Sequence, residues 1–313
     1  MKKYTIGVDL GGTNVAVGIV DQQRNIIIKG STPTQLDKRF ETVMKDMGAL
    51  INKLLKENNI SLDECKYIGI GSPGQPNNTT GIMSDNSNLH WTRVPMRTEL
   101  QKYVDLPVYM DNDANVAAWA EYLEGCGRGT TNFVAVTLGT GVGGGIIINK
   151  ALYSGSHGIG AEIGHMILVK DGYICGCGNK GCAEKYCSAT AIIYKTKELL
   201  ATGKYNDSVL ASTEKITAKS VIDASKSGDK LGVLVFDWYV DSLAHLVISI
   251  INVLDPDVIA LGGGVANAGD YLLKPLLKEI DKHIMYIDTP YAEVKIAQMG
   301  NDAGILGAAL LGE

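Results

Sequence analysis

The sequence predicts an α/β protein of two domains, and three observations lead there. Strand-like and helical patterns alternate through the first third of the chain. The opening is echoed in the middle. Sliding it by 128 positions sets IGVDLGGTNVAVGIVD (6–21) over VAVTLGTGVGGGIIIN (134–149) without a gap, so that Val8/Val136, Leu10/Leu138, Gly11/Gly139 and Ile19/Ile147 coincide. Finally, 313 residues, 45% of them hydrophobic, are enough for one or two sizeable cores. Two related glycine-turn hairpins, each heading an α/β half, account for all three.

In chain order, residues 4–10, 15–20 and 24–30 read as strands. A helix is expected from Arg39 to Lys56, where Phe40, Val43, Met47, Leu50, Ile51, Leu54 and Leu55 recur at helical spacing. YIGIGS (67–72) is a strand, and the turn formers of PGQPNNTTG (73–81) make a loop. PVYM (107–110) is another strand, running into DND and the helical stretch ANVAAWAEYL. The uncharged segment 129–149 has the length of a membrane span, but its glycines and polar Thr and Asn divide it into the two short strands of a hairpin. A helical pattern near 231–253 leads into DPDVIALGGGV, a buried strand ending in glycines where a ligand can approach the backbone. DAGILGAALL closes the chain as an apolar helix rich in small residues. No low-complexity linker divides the chain, so the domain boundary is expected at a hinge.

The net charge of −5, from 29 basic and 34 acidic residues, and the lack of any Lys/Arg run argue against a nucleic-acid partner. A phosphorylated ligand stays compatible with that balance, because backbone amides bind phosphate without basic side chains. The opening MKKYTIGVDLGG meets an acid too early for a signal peptide, so a cytoplasmic protein without membrane partners is expected.

The chemistry concentrates in four places. In VDLGGTN the two glycines suit a tight turn, which leaves Asp9, Thr13 and Asn14 without a structural reason. Two such glycine turns would offer backbone N–H groups to a polyphosphate, with hydroxyls from Thr13 and Thr140 and with Asp9 holding Mg²⁺ through water. Neither turn is a Walker A loop, and the first lacks GxGxxG. Gly262, Gly263 and Gly264 form a third cluster, suited to a nucleoside. Asp111-Asn112-Asp113 stands where a strand gives way to a helix. Asp and Asn are ordinary N-caps, but one cap does not require three polar residues. A carboxylate left over there is placed to accept a hydroxyl proton.

The strongest signal is GHMILVKDGYICGCGNKGCAEKYCS (164–188). His165, Cys175, Cys177 and Cys182 supply four N/S ligands, with glycines between them permitting a tight fold-back. Such a set suits tetrahedral Zn²⁺ and leaves no open position, which makes the site structural. Cys65, Cys126 and Cys187 lie outside this spacing and read as small apolar fillers. Glu162 and Glu184 flank the loop, where a rigid metal site would hold them toward a polyhydroxy ligand.

Taken in order, VDLGGTN, GIGSPG, DNDANVAA, LGTGVGGG, EIGH, CGCGNKGCAE and DPDVIALGGG resemble the ROK family of sugar kinases, and within it the bacterial glucokinases. The resemblance runs from Asp9 to the C-terminal DAGILGAALL. It implies the hexokinase–actin-like (ribonuclease H-like) fold, with a small domain of 1–112 plus 301–313, a large domain of 113–300 carrying the zinc loop 165–182, and a hinged cleft. It implies that Asp9, Gly11, Gly12, Thr13 and Asn14 form a first phosphate loop, Gly139, Thr140 and Gly141 a second, and Gly262–Gly264 an adenosine motif. Asp113 matches the general base, beside a sugar-binding Asn112. Glu162, His165 and Glu184 match sugar contacts, with His165 also a zinc ligand, and Gly74 and Asn88 fall where the small domain reaches the sugar. The implied reaction is Mg²⁺- and ATP-dependent conversion of D-glucose to glucose 6-phosphate, at the entry to glycolysis. The alternative acceptors are fructose, N-acetylglucosamine or N-acetylmannosamine. A homo-oligomer, dimer or tetramer, is expected. The helix-turn-helix of the family's repressors is not expected ahead of the first strand, and the more His-rich metal loop common in fructokinases is not matched.

Overall fold

The computed structural model describes residues 2–35, 39–86, 89–286 and 288–313. The chain opens with β1 (Tyr4–Leu10), β2 (Asn14–Val20) and β3 (Ile26–Pro33), followed by α1 (Phe40–Glu57) and β4 (Cys65–Ser72). Next come β5 (Pro76–Asn77), β6 (Ile82–Asn86), β7 (Trp91–Val94), α2 (Met96–Leu100), β8 (Val108–Asn112) and α3 (Asp113–Glu124). The middle holds β9 (Phe133–Leu138), β10 (Val142–Ile148) and β11 (Ala151–Leu152), then α4 (Glu184–Cys187), α5 (Ala189–Leu200), α6 (Ala218–Lys226) and α7 (Lys230–Leu254). β12 (Val258–Gly262), α8 (Asp270–His283), β13 (Glu293–Ile296) and α9 (Ala303–Ala309) complete it.

Two compact units result. The first comprises Met1–Arg128, Leu152–Ala161 and Met299–Glu313; the second comprises Gly129–Ala151 and Glu162–Gln298. The division falls after Arg128 rather than after residue 112, because α3 packs on α9 inside the first unit. A Cβ on Gly307 of α9 would overlap the carbonyl of Val116, so the two helices lie nearly in backbone contact. Segment 152–161, placed in the large domain on sequence grounds, also belongs to the first unit.

The first unit is built on a sheet of order β3-β2-β1-β4-β8, the second on β11-β10-β9-β12-β13. The two share a plan. An antiparallel hairpin is followed outward by two parallel strands, with Val8 opposite Ile70 in one unit and Val136 opposite Leu261 in the other. The internal repeat is therefore real as topology, but the gapless overlay is not its register. Leu10 faces Val15 across the first turn, whereas Leu138 faces Val142 across the second. The second turn is one residue shorter, so Gly18 and Ile19 correspond to Gly145 and Ile146. Turn length sets hairpin register, and a one-residue slip would swap the two faces.

In the first unit α1 buries Phe40, Val43, Met47, Ile51, Leu54 and Leu55 of the helical stripe expected from the sequence, with Met44 added and Leu50 only partly buried. The stretch 73–81 is not wholly loop. Pro76–Asn77 pairs with β6, and β6 with β7, in a small antiparallel ribbon whose edge is too short to show periodicity. Helix α9 lies against β1 and β4 because Gly7 and Gly69 have no side chains: a Cβ on either would overlap the carbonyls of Ile305 and Ala308. In the second unit α7 is long and apolar enough to cross a membrane, yet two thirds of that stretch is buried within the protein, with Leu231, Val235, Tyr239, Leu243 and Val247 in the core.

Candidate functional site

In the first unit the residues singled out converge on the C-terminal ends of β1, β4 and β8. Asp9 is the penultimate residue of β1, opposite Ala16 on one side and Gly71 on the other. Burial, and then the neighbouring Asp113, push its carboxyl up to about 6. Among the described residues no lysine or arginine is a cause of that shift. The side chain is accommodated by Gly304 at the start of α9, where a Cβ would stand 2.6 Å from Asp9 Oδ2. After Asp9 the chain turns tightly, the Gly11 N–H donating to the Asn14 carbonyl at 2.9 Å. The space beside Gly12 is open, while Thr34 Oγ1 ties the far side of the turn by donating to the Gly11 carbonyl at 2.6 Å.

The DND triplet divides its labour. Asn112 is the N-cap of α3: its Oδ1 accepts from Ala114 N at 2.9 Å and from Asn115 N at 3.4 Å. Its Nδ2 donates to the carbonyl of Gly74 at 3.1 Å, and Gly74 itself is in the left-handed region at φ 89°. Asp111 turns inward, accepting from Asn112 N at 2.7 Å and from Asn115 Nδ2 at 2.8 Å, with a further hydrogen bond from Ser154. Asp113 is left over. It is exposed, and among the described residues its carboxylate accepts from the backbone at the helix start, including Ala114 N at 2.9 Å; desolvation by the surrounding protein raises its pKa from the ordinary carboxylate value. Asn88 lies outside the described residues.

In the second unit the turn Gly139–Gly141 is closed by the Gly139 N–H donating to the Gly141 carbonyl at 3.0 Å. It is anchored to the start of α5, where Ala189 N donates to the Gly139 carbonyl at 2.8 Å and Thr190 Oγ1 to the Thr140 carbonyl at 2.7 Å. Gly262–Gly264 abuts the same turn. Val265 N donates to the Leu138 carbonyl, and Gly263, at φ 83°, comes so near that a Cβ would stand 2.6 Å from that oxygen. The space beside Gly264 is open. Gly262–Gly264 thus has one side tied to the fold at Gly263 and, among the described residues, open space beside Gly264.

His165, Cys175, Cys177 and Cys182 each bring one ligand atom within 4.8 Å of the others. Cys175 Sγ is 3.7 Å from His165 Nδ1, and Cys177 Sγ is 3.6 Å from Cys182 Sγ. A tetrahedral zinc with ~2.3 Å Zn–S bonds has ligand-to-ligand edges of about 3.8 Å, so the set fits that ion. The fold-back that forms it includes Cys175 N donating to the Asn179 carbonyl and the bridge pairs Ile167/Cys182 and Ile174/Lys180. Glu184, the first residue of α4, links this loop to the glycine turn. Its Oε2 accepts from Val142 N at 3.3 Å, its Oε1 lies 3.8 Å from Cys175 Sγ, and a Cβ on Gly141 would overlap it. Glu162 is exposed at the head of the short helical turn carrying His165, whose N–H donates to the Glu162 carbonyl at 3.0 Å.

Sequence reasoning passed over Asn115, Thr190 and Gly304. Asn115 is visible in hindsight as the fourth polar residue of DNDAN. Thr190 meets the second glycine turn, and Gly304 meets Asp9, only through tertiary packing, and nothing local marks them.

The profile of the ROK family matches residues 5–313. The chain is 38% identical to a glucokinase of Thermotoga maritima, over 98% of this chain and 96% of the relative. It is 33% identical to an N-acetylmannosamine kinase of Haemophilus influenzae, over 97% and 93%. Among solved structures, the ROK family glucokinase of Streptomyces griseus in complex with glucose and AMPPNP superposes with a TM-score of 0.82 at 33% identity, covering 98% of each chain.

Proposed function

The chain belongs to the ROK family, and from that premise we propose that it transfers the γ-phosphoryl group of ATP to the 6-hydroxyl of D-glucose, with Asp113 as general base. The observation that carries this reading is the condition of Asp113. Asn112 is the N-cap of α3, accepting from both Ala114 N and Asn115 N, so the local bond from Ala114 N to Asp113 is not needed to cap the helix, and desolvation makes the Asp113 carboxylate more basic. A carboxylate of that kind, at the end of a parallel strand, is suited to accept a hydroxyl proton.

Transfer of a phosphoryl group to an alcohol proceeds through a loose transition state, so the protein's work is to position the reactants and to neutralise charge. Asn112, braced by the Gly74 carbonyl, orients the sugar beside Asp113. Glu162, His165 and Glu184 hold its C1–C2 edge. Backbone N–H groups of the turns at Gly11–Asn14 and Gly139–Gly141 and the Thr13 and Thr140 hydroxyls would serve as donors to the phosphates, and Gly262–Gly264 would receive the adenosine. Mg²⁺, when bound, would neutralise charge on the phosphates, and Asp9 is the carboxylate suited to hold it: partly buried, beside a second carboxylate, and among the described residues shifted by no cationic side chain. Zn²⁺ at His165, Cys175, Cys177 and Cys182 gives shape rather than chemistry, since four protein ligands leave it no open position.

Glucose is preferred as acceptor because the glucokinase-named relatives stand higher in identity than those named for N-acetylmannosamine, which is the second reading. A coupled ADP-release assay over glucose, fructose, N-acetylglucosamine and N-acetylmannosamine decides between them. The largest kcat/KM is expected for glucose. A buried hydrogen-bonding site rejects a sugar that leaves it unpaired far more strongly than one lacking a methylene. Equal kcat/KM for glucose and N-acetylmannosamine would refute the assignment.

A further inference from the structure

On the surface of the second unit, away from the residues discussed above, two histidines meet. His245 projects from α7 and His283 is the last residue of α8, with their ring centroids 5.2 Å apart and the planes inclined at 37°. Asp241 stands one helical turn before His245, its Oδ1 3.6 Å from His245 Nδ1. One ligand atom from each of the three residues lies within 4.8 Å of the other two. All three side chains are about half exposed.

We propose that Asp241, His245 and His283 form a second metal site, for a divalent transition ion of the Zn²⁺, Ni²⁺ or Cu²⁺ class that imidazole favours. The hydrogen bonds around the rings are those of ligating histidines. His245 Nδ1 lies 2.8 Å from the backbone carbonyl of Asp241, and an N–H there leaves the Nε2 lone pair free. His283 Nε2 lies 3.2 Å from Glu279 Oε1, and an N–H there leaves Nδ1 free. An oxygen acceptor on one ring nitrogen sets the tautomer and raises the basicity of the other. A tetrahedral ion with ~2.0–2.1 Å bonds requires ligand edges of about 3.3 Å. With His245 bound through Nε2, the Asp241 carboxylate has to swing from Nδ1, where Oδ1 now stands, toward Nε2, a rotation for which a half-exposed side chain has room. Three protein ligands leave at least one position to water, so this site binds more weakly than the cysteine cluster. Its effect is to pin the last turn of α8 to α7.

The test titrates Ni²⁺ by calorimetry into the full chain loaded with a single equivalent of Zn²⁺, which the tighter cysteine cluster takes, with His245→Gln and His283→Gln as variants. One Ni²⁺ per chain is expected in the unmodified protein. Each variant should weaken it by at least ~10-fold, the smallest loss that even an outer partner of a metal ligand produces. Ni²⁺ should raise Tm in the unmodified protein and in neither variant, while sugar phosphorylation is unchanged in both. The chain has five histidines, few enough to assign each ring by NMR through substitution. Paramagnetic broadening of the His245 and His283 rings together supports the site. Ni²⁺ affinity unaltered in either variant, or broadening of one ring alone, overturns it.

Discussion

Asp113 and Asp9 are two carboxylates in one unit with opposite demands on them. If Asp113 is the general base, Asp113→Asn preserves size and a hydrogen-bond acceptor but removes the proton acceptor. The expected result is a fall in kcat of ~10²–10⁴, with glucose affinity by calorimetry weakened only modestly, the pattern of an interaction made mainly in the transition state. A mere helix cap predicts near-normal turnover instead, because Asn caps as well as Asp. Retention of more than about a tenth of the turnover would therefore exclude the role. Asp9 makes its prediction through stability. Its folded pKa, about 6, lies above the ordinary value of 3.8. The native state thus binds the proton more tightly than the unfolded chain, and stability declines as pH rises from about 4 to 6. Full ionisation costs roughly 3 kcal/mol. Asp9→Asn should accordingly be more stable than the unmodified protein at pH 7 in the absence of ligands, with the gap closing toward pH 4. Urea denaturation at both pH values checks this, and a variant less stable at neutral pH contradicts it.

Among the elements, the loop 165–182 is held by its ligand set more than by a core, since Ile167, Val169 and Ile174 are all exposed. Four thiol and imidazole groups gathered in a loop without much buried apolar surface depend on the ion for their free energy of folding. One tightly bound Zn²⁺ per chain is expected by metal analysis. Chelation should open the loop to protease between residues 165 and 182 and abolish sugar phosphorylation, because Glu184 loses its place between Cys175 and the Val142 N–H. A zinc-free preparation with full activity would count decisively against this. The same element logic explains β12. Its end cannot carry a side chain at Gly263, where positive φ and the Leu138 carbonyl leave no room.

At the scale of the molecule, the first unit is closed by the two ends of the chain. Helix α9 lies on β1 and β4, and the carbonyls of Ala309 and Leu310 accept from Tyr67 Oη at 2.8 Å and Trp119 Nε1 at 3.1 Å. Arg24 adds ion pairs to Glu124 and to Glu313. Ile305, Leu306 and Leu310 are buried there, and exposing them costs roughly 5–9 kcal/mol. That is comparable to the whole stability of a typical domain, about 5–15 kcal/mol. Truncation after Gly300 is therefore expected to unfold the first unit, seen as loss of hydrogen-exchange protection in β1 and β4. Protection equal to that of the full chain would show that α9 is dispensable.

The sequence by itself determined what depends on neighbours along the chain: the α1 stripe, the glycine turns, the metal spacing, and the surplus of polar residues in DND over one helix cap. Each rests on a period, a turn residue or a ligand geometry spanning at most about twenty positions. The tertiary structure alone decided the rest. It assigned α3 to the first unit through its contact with α9, set the second hairpin one residue shorter than the gapless overlay, and put Gly304 beside Asp9. It also gave the cap to Asn112, with Asp113 sharing the Ala114 N–H. Those outcomes follow from close packing and hydrogen-bond competition between segments far apart in the chain, which no local pattern records.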